Sequence, residues 1–356
     1  MARAKVKYLP VNIKGKPQFK MAYWDIDSGK KGPCLLVTAA LHGNEVQGSE
    51  VIRRFCLVAE KKIVKGRFLL VPFVNPLAVW NRRPHIASTL AEPLGKLEKK
   101  KVKNKIVLVP EDPMVNINRT WPGNPQGNES QQMACIVFKG IFEQATHNID
   151  LHCYNRFTGA AAIPEGCDKA INFAKVSAFP FLRPSKPLDL SKTFKGTAPL
   201  SDWFNLNGRT AFTAEFSGQY VVMEKQVRIG VRALTNCSKY LGMFRGTPEG
   251  LEDTIVVTKD LMKTVKAPFA GLFVENGLAA GDFVKKGSLL GWLFSDRTLK
   301  TNEIKAPADG YLYSYGHRRP RCDVDLADMH PHADKGDILG IIIGEKKTRK
   351  NKRERR

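Results

Sequence analysis

Short apolar, β-rich runs alternate with stretches of helical periodicity over the first two thirds of the chain. Cys34 to Leu41 is followed by Glu45 to Ala59, Phe68 to Val74 follows, Gln131 to Ala145 precedes Ile149 to Tyr154, and Thr210 to Phe216 precedes Glu224 to Leu241. Within Gln131 to Phe142, Met133, Ile136, Val137 and Ile141 recur at helical spacing, with Asn128 or Ser130 placed to cap the start. Strand and helix in turn predict an α/β fold: a mostly parallel sheet with helices on both faces.

From about Thr254 the pattern changes to short β-rich stretches separated by glycines. Two halves resemble each other. Each carries a K-A-P-x-x-G turn, at Lys266 to Gly271 and Lys305 to Gly310, and later a G-D element at Gly281-Asp282 and Gly336-Asp337. Paired short strands of this kind predict a small all-β C-terminal domain resembling a biotinyl or lipoyl carrier sandwich or half-barrel. No lysine flanked by methionine stands at a hairpin tip, so the domain reads as a structural or gating module and not a swinging arm. The expected division is 1–253 for a zinc-dependent catalytic domain with a basic insertion near 91–110, 254–345 for the β-domain and 346–356 for a basic disordered tail.

Composition fits that picture. A chain of 356 residues exceeds what one core usually fills, and 43% hydrophobic with 26% charged residues is the balance of a soluble globular protein. No apolar run approaches the ~20 residues of a membrane helix, and the basic N-terminus lacks the apolar stretch of a secretory signal, so the expected location is the cytoplasm. Seven cysteines without a C-x-x-C pair exclude a disulfide framework and a cysteine-ligated zinc. The net charge of +23 is partly local: Lys346 to Arg356 and Lys96 to Lys105 together account for twelve of it. Such blocks bind polyanions without specificity or are simply solvated, and no nucleic-acid-binding fold signature accompanies them.

The chemistry concentrates where apolar runs end. In LLVTAALHGNEVQGSEVIRRF an apolar strand stops at His42, Gly43 permits a sharp turn, Asn44 is available as a cap and Glu45 opens a helix. This puts an imidazole and a carboxylate at the carboxyl end of a strand, where open α/β sheets bind ligands. The H-x-x-E pair alone equally suits a surface histidine beside a capping glutamate. A second strand end, Asn148 to His152, adds a histidine, and two histidines with a glutamate leave a fourth zinc position open to water. Asp150 is placed to orient His152, or is an ordinary loop carboxylate. Glu215 interrupts the apolar AFTAEFSG; it is a general base near a metal-bound water, or a structural partner of an arginine such as Arg209.

The ordered stretches H-G-N-E, V-N-P-x-A (Val74 to Ala78), N-R-T-W-P-G (Asn118 to Gly123), D-L-H and T-A-E-F-S-G resemble the motifs of the succinylglutamate desuccinylase and aspartoacylase family over residues 34 to 245. That family is similar to the zinc carboxypeptidases and cleaves the amide of N-acylated amino acids. The resemblance implies one zinc per chain on His42, Glu45 and His152, catalysis by Glu215, and a substrate carboxylate held by Asn118 and Arg119, whose guanidinium fork suits it. A lysine-rich segment replaces the family's short link carrying a carbonyl-polarising arginine, leaving Arg82 or, as the choice taken here, Arg83 to supply that charge. As surface arginines both would be ordinary. The appended β-domain favours the longer members, including deacetylases of N-acetyl diamino acids.

The expected protein is thus a zinc-dependent amidohydrolase acting on a small N-acyl amino acid, with no specific nucleic-acid partner, no membrane association, and room for a homo-oligomer. A metallocarboxypeptidase acting on peptides or peptidoglycan fragments would use the same residues. A non-catalytic polyanion-binding protein is the rival from another class.

Overall fold

The computed structural model describes residues 3–88, 97–102, 105–110, 112–188, 196–318 and 330–344; for Leu97, Lys99 to Val102, 105–110 and Arg318 this holds for the backbone alone. The basic tail 346–356 and Cys322 lie outside the described residues, as do 91–96 of the basic insertion. The chain forms two compact units, Met1–Arg156 with Ala160–Thr254, and Phe157–Gly159 with Ile255–Arg356.

The first unit contains β1 (Lys5–Val11), β2 (Phe19–Asp27), β3 (Cys34–Ala39), α1 (Gln47–Lys62), β4 (Arg67–Val71), α2 (Pro76–Asn81), β5 (Leu97–Val102), β6 (Lys105–Pro110), α3 (Glu129–Gly140), β7 (His147–Tyr154), β8 (Ala161–Pro164), α4 (Asp168–Lys175), β9 (Phe181–Leu182), α5 (Leu200–Leu206), β10 (Thr210–Ser217) and α6 (Glu224–Tyr240). Its main sheet runs β1-β2-β4-β3-β7-β10-β8-β9. The central β4-β3-β7-β10 block is parallel. Alternate residues of β3 serve two cores: Leu35, Val37 and Ala39 pack with Val51 and Phe55 of α1 and Leu234 of α6, while Leu36 joins Val137 of α3 and Phe204 of α5. A strand buried on both faces must be apolar throughout, which is why this run reads continuously and not in alternation. Each such side chain stabilises the fold by ~1.5–3 kcal/mol through its removal from water.

Local boundaries differ from the periodicity in three instructive places. α3 starts one turn earlier than its apolar stripe because Asn128 and Gln131 form a reciprocal capping box. It ends at Gly140, and Phe142–Gln144 forms a separate 3-10 turn. Glu45 lies before helix α1, which opens at Gln47. The hairpin β1–β2 escaped the pattern because β1 is mostly exposed and reads as a mixture of lysines and apolar residues.

The second unit contains β11 (Ile255–Val256), β12 (Met262–Lys266), β13 (Gly271–Glu275), β14 (Phe283–Val284), β15 (Leu289–Phe294), β16 (Thr301–Lys305), β17 (Gly310–Arg318), β18 (His332–Ala333) and β19 (Ile338–Ile343). Two four-stranded sheets, β12-β19-β17-β14 and β16-β15-β13-β18, enclose a core of Phe273, Leu293, Leu312 and Ile342. The two K-A-P-x-x-G turns play equivalent parts. Ala267 and Ala306 are buried in that core. A Cβ on Gly271 or Gly310 would come within 2.3 Å of a carbonyl oxygen on a neighbouring strand, Phe294 or Ile343. Among the described residues no helix is long and apolar enough to cross a membrane.

Asn75 ties α2 to the end of β3. Fully buried, it accepts a hydrogen bond from the Ala78 amide and donates one to the Leu41 carbonyl. Asn75→Ala removes a helix cap and leaves a buried carbonyl unpaired, so it should cost about 1–3 kcal/mol of unfolding free energy in a denaturant titration. A loss within error would show that the cap is dispensable.

Candidate functional site

β3 ends where Ala40 adopts a left-handed φ of 53°, and the chain turns out of the sheet through Leu41 to Glu45. The segment after β4 braces this turn. Val74 and Asn75 donate their amides to the Ala39 and Ala40 carbonyls, and the Gly43 amide donates to Pro84. A Cβ at position 43 would lie 2.2 Å from the Ala78 carbonyl oxygen and 2.4 Å from that of Arg83, so only glycine fits. The V-N-P-x-A stretch therefore acts by holding the loop that presents His42 and Glu45.

The three predicted ligands meet. Donor atoms of His42, Glu45 and His152 all lie within 4.8 Å of one another. The geometry is convergent: His42 Nδ1 is 3.0 Å from Glu45 Oε1, and His152 Nδ1 is 2.8 Å from Glu45 Oε2. The opposite ring nitrogens are held from behind, His42 Nε2 by Asn116 Oδ1 at 3.0 Å and His152 Nε2 by Asp150 Oδ2 at 2.7 Å. Asp150 is fixed in turn by the Thr38 hydroxyl, which donates to Oδ1 at 2.7 Å. An acceptor oxygen behind each ring, the Asn116 carboxamide for His42 and the Asp150 carboxylate for His152, sets its tautomer, so that Nε2–H faces Asp150 and the Nδ1 lone pair of His152 faces the common centre. Two imidazoles and a carboxylate are a donor set that suits zinc, and the fit rests on these donors.

The charges at this centre compensate one another. Burial opposes ionisation of Glu45, yet the charges and hydrogen bonds of His42 and His152 hold its carboxyl far below the usual range. Burial likewise opposes a charged His152, but Asp150 and Glu45 together raise it well above the ordinary imidazole value. The Cys153 amide and the Gln219 side chain also donate to Glu45.

Glu215 stands beside His152, its register partner on the adjacent parallel strand. Its Oε2 is buried and meets no hydrogen-bond partner among the described residues. Burial pushes its pKa up to about 8, with the negative charges of Glu45 and Asp150 adding to the rise and the positive charges of His152 and Arg183 opposing it. Arg209, the structural partner considered from sequence, is engaged elsewhere: its guanidinium lies over the Phe204 ring and donates to the Phe142 carbonyl.

Asn118 is buried, with Nδ2 3.3 Å from His152 Nε2 and Oδ1 accepting from the Leu200 amide at the start of α5. Arg119 is exposed at the rim. Its Nη1 donates to the Asn118 carbonyl, and its charge is felt by His85 and Asp202. Arg82 is exposed and Arg83 half-buried, and it is the Arg83 backbone that approaches Gly43.

Sequence reasoning missed four groups. Asn116 backs His42, and Gln219 caps Glu45. His85 packs its ring edgewise on His42 with centroids 5.6 Å apart, and burial depresses its pKa to about 3. Asp202 is raised to about 8 by burial and by the hydrogen bond and negative charge of Glu165. The single signal available was the crowding of asparagines in V-N-I-N-R and the histidine closing WNRRPH.

Comparison with known proteins places this geometry in context. A family model described as "Succinylglutamate desuccinylase/Aspartoacylase catalytic domain" matches residues 31–241. The chain is 22% identical over 314 residues, covering 84% of it and 81% of the relative, to an N-alpha-acetyl-L-2,4-diaminobutyric acid deacetylase of Halomonas elongata. Among solved structures, a succinylglutamate desuccinylase/aspartoacylase from Rhodobacter sphaeroides has a TM-score of 0.66 at 19% identity, covering 97% of this chain and 95% of that one. The product-bound ectoine utilization protein EutE of Ruegeria pomeroyi has a TM-score of 0.63 at 19% identity, again covering 97% and 95%. At such identities the structures speak for the fold.

The convergent donors predict about one zinc per chain in the purified protein, with His42→Ala and His152→Ala each losing most of it. Elemental analysis of the folded variants checks this; full occupancy in both would move the metal elsewhere.

Proposed function

The chain belongs to the succinylglutamate desuccinylase/aspartoacylase family, and from that premise we propose that it is a zinc-dependent hydrolase of N-acyl amino acids. The observation that carries the reading is the convergence of two imidazole Nδ1 atoms on both oxygens of Glu45, with the unpartnered carboxylate of Glu215 one strand away. Zinc held by His42, Glu45 and His152 would supply Lewis acidity, making water nucleophilic near neutral pH and polarising the amide carbonyl.

The protein's own groups do the rest. Glu215 takes a proton from the attacking water at Oε2 and returns it to the leaving nitrogen; a carboxyl with a pKa near neutrality serves both directions. Asp150 keeps the His152 ring in one orientation. Asn118 and Arg119 hold the substrate carboxylate, the exposed guanidinium meeting the anion as it enters. Arg83 lends positive charge on the carbonyl side, its backbone being fixed beside the His42 turn. The printed activity of the Halomonas relative supports an acylated amino acid as substrate, with acetyl the first acyl group to try. Turnover of an N-acyl amino acid panel by the zinc-loaded protein tests the proposal. Hydrolysis confined to short peptides would favour a metallocarboxypeptidase instead.

Glu215→Gln should retain fold and zinc but lose ~10²–10⁴-fold in kcat. It should also change the pH dependence of stability in metal-free protein. A carboxyl raised from 4.5 to about 8 binds its proton more tightly when folded. Its contribution is therefore present below 4.5 and lost as pH rises towards 8. The variant should gain on the parent between those limits, read as the difference in denaturation midpoints at pH 5 and pH 9. A constant difference would remove the pKa argument, and normal kcat the catalytic one.

Arg119→Lys keeps the charge and loses the planar fork. It should cost ~1–3 kcal/mol in kcat/KM on substrates with a free carboxylate and little on their amides. Equal losses on both would assign Arg119 to the carbonyl or to the loop.

A further inference from the structure

A cleft of the first unit, about 790 Å³, lies away from His42, Glu45 and His152. Arg67, which lines it, opens β4 and pairs in register with Cys34 at the start of β3, whereas His42 follows the other end of that strand. The cleft thus sits at the amino-terminal edge of the parallel block, opposite the catalytic edge. Its walls carry six cations, Arg3, Lys5, Lys7, Lys30, Arg67 and Arg245, against two carboxylates, Asp25 and Asp27.

Two of the cations are already engaged. Asp25 is buried and takes both Nε and Nη2 of Arg67 at 2.7 Å and the Lys7 ammonium at 2.5 Å, while Arg67 Nη1 donates to Gln144. These pairs hold the Asp25 carboxyl below its ordinary pKa although burial alone would raise it. Asp27 accepts from the Gly29 amide. Arg3, Lys5, Lys30 and Arg245 are exposed and meet no carboxylate among the described residues. Ile63 and Val64, half-buried at the end of α1, add an apolar wall.

We propose that this cleft binds an organic polyphosphate of nucleotide size. Four uncommitted cations around one cavity make a strong positive potential that a compact polyanion neutralises best. Two of them are arginines, whose forks take phosphate oxygens in pairs. The volume falls in the range of ~300–1,000 Å³ typical of clefts for organic ligands and exceeds what inorganic phosphate fills. The apolar wall gives the organic part a surface to cover.

The test is calorimetric titration of the full-length protein with ATP and, separately, with inorganic triphosphate. ATP should bind at one saturable site, and inorganic triphosphate more weakly because it cannot reach Ile63 and Val64. The variant Lys5→Gln/Lys30→Gln/Arg245→Gln alters exposed side chains alone and should weaken ATP by about tenfold or more, with hydrolysis of N-acyl amino acids unchanged. A second variant, Lys346→Gln/Lys347→Gln/Lys350→Gln, removes the same charge from the tail and should bind ATP like the parent. Equal weakening in the two variants would mean that net charge does the binding. That result, the absence of a saturable site, or equal affinity for ATP and triphosphate would each overturn the proposal.

Discussion

Everything around the candidate centre follows from the cost of burying the Glu45 carboxylate. A carboxylate removed from water is destabilising by several kcal/mol unless charges and donors replace its hydration. Here the replacement is two imidazoles, one backbone amide and one carboxamide, drawn from β7, from the turn after β3 and from the loop after β10. Parallel pairing of β3, β7 and β10 brings their carboxyl ends to one edge of the sheet, so side chains distant in sequence reach one point. The supports behind them, Thr38 on Asp150, Asn116 on His42 and Asn75 under the turn, keep that point from relaxing.

Two glutamates on the same small site are pushed in opposite directions. Glu45 is surrounded by positive charge and held ionised, whereas Glu215 is buried without a donor to its outer oxygen and held towards its protonated form. Separation of this kind is what the proposed function needs of chemically identical groups: one to bind a cation, the other to carry a proton. Neighbouring residues decide the difference, since burial by itself raises both carboxyls.

The basic character of the chain is divided between the two edges of the sheet. At the edge that carries the candidate centre stand the exposed Arg119 and Arg82 and the half-buried Arg83. At the opposite edge the strand starts and the N-terminal strand gather uncommitted lysines and arginines around one cleft. An anion attracted to the second edge would not compete with a substrate carboxylate at the first.

The α/β class, the central strands and the helices packed on them were legible in the sequence because both period and strand-end chemistry are local properties. The same holds for His42, Glu45, His152, Asp150 and Glu215, each a polar residue at the end of an apolar run or intruding upon one. The starts of α1, α3 and α6 were legible to within a turn, whereas α3 ends at Gly140, short of the expected Ala145, because the chain breaks into a separate 3-10 turn. The exposed β1–β2 hairpin carried no clean alternation and stayed invisible. Asn116, His85, Gln219 and the Glu165–Asp202 pair were hidden for a different reason: their positions matter through neighbours 37 to 174 residues away, from Glu165 and Asp202 to Gln219 and Glu45. The sequence by itself marked which side chains were candidates to hold a metal and to carry a proton. Only the tertiary structure decided which of them converge, which nitrogens face inward and which carboxylate keeps its proton, because those properties depend on burial and on the fields of groups that the parallel sheet alone brings together.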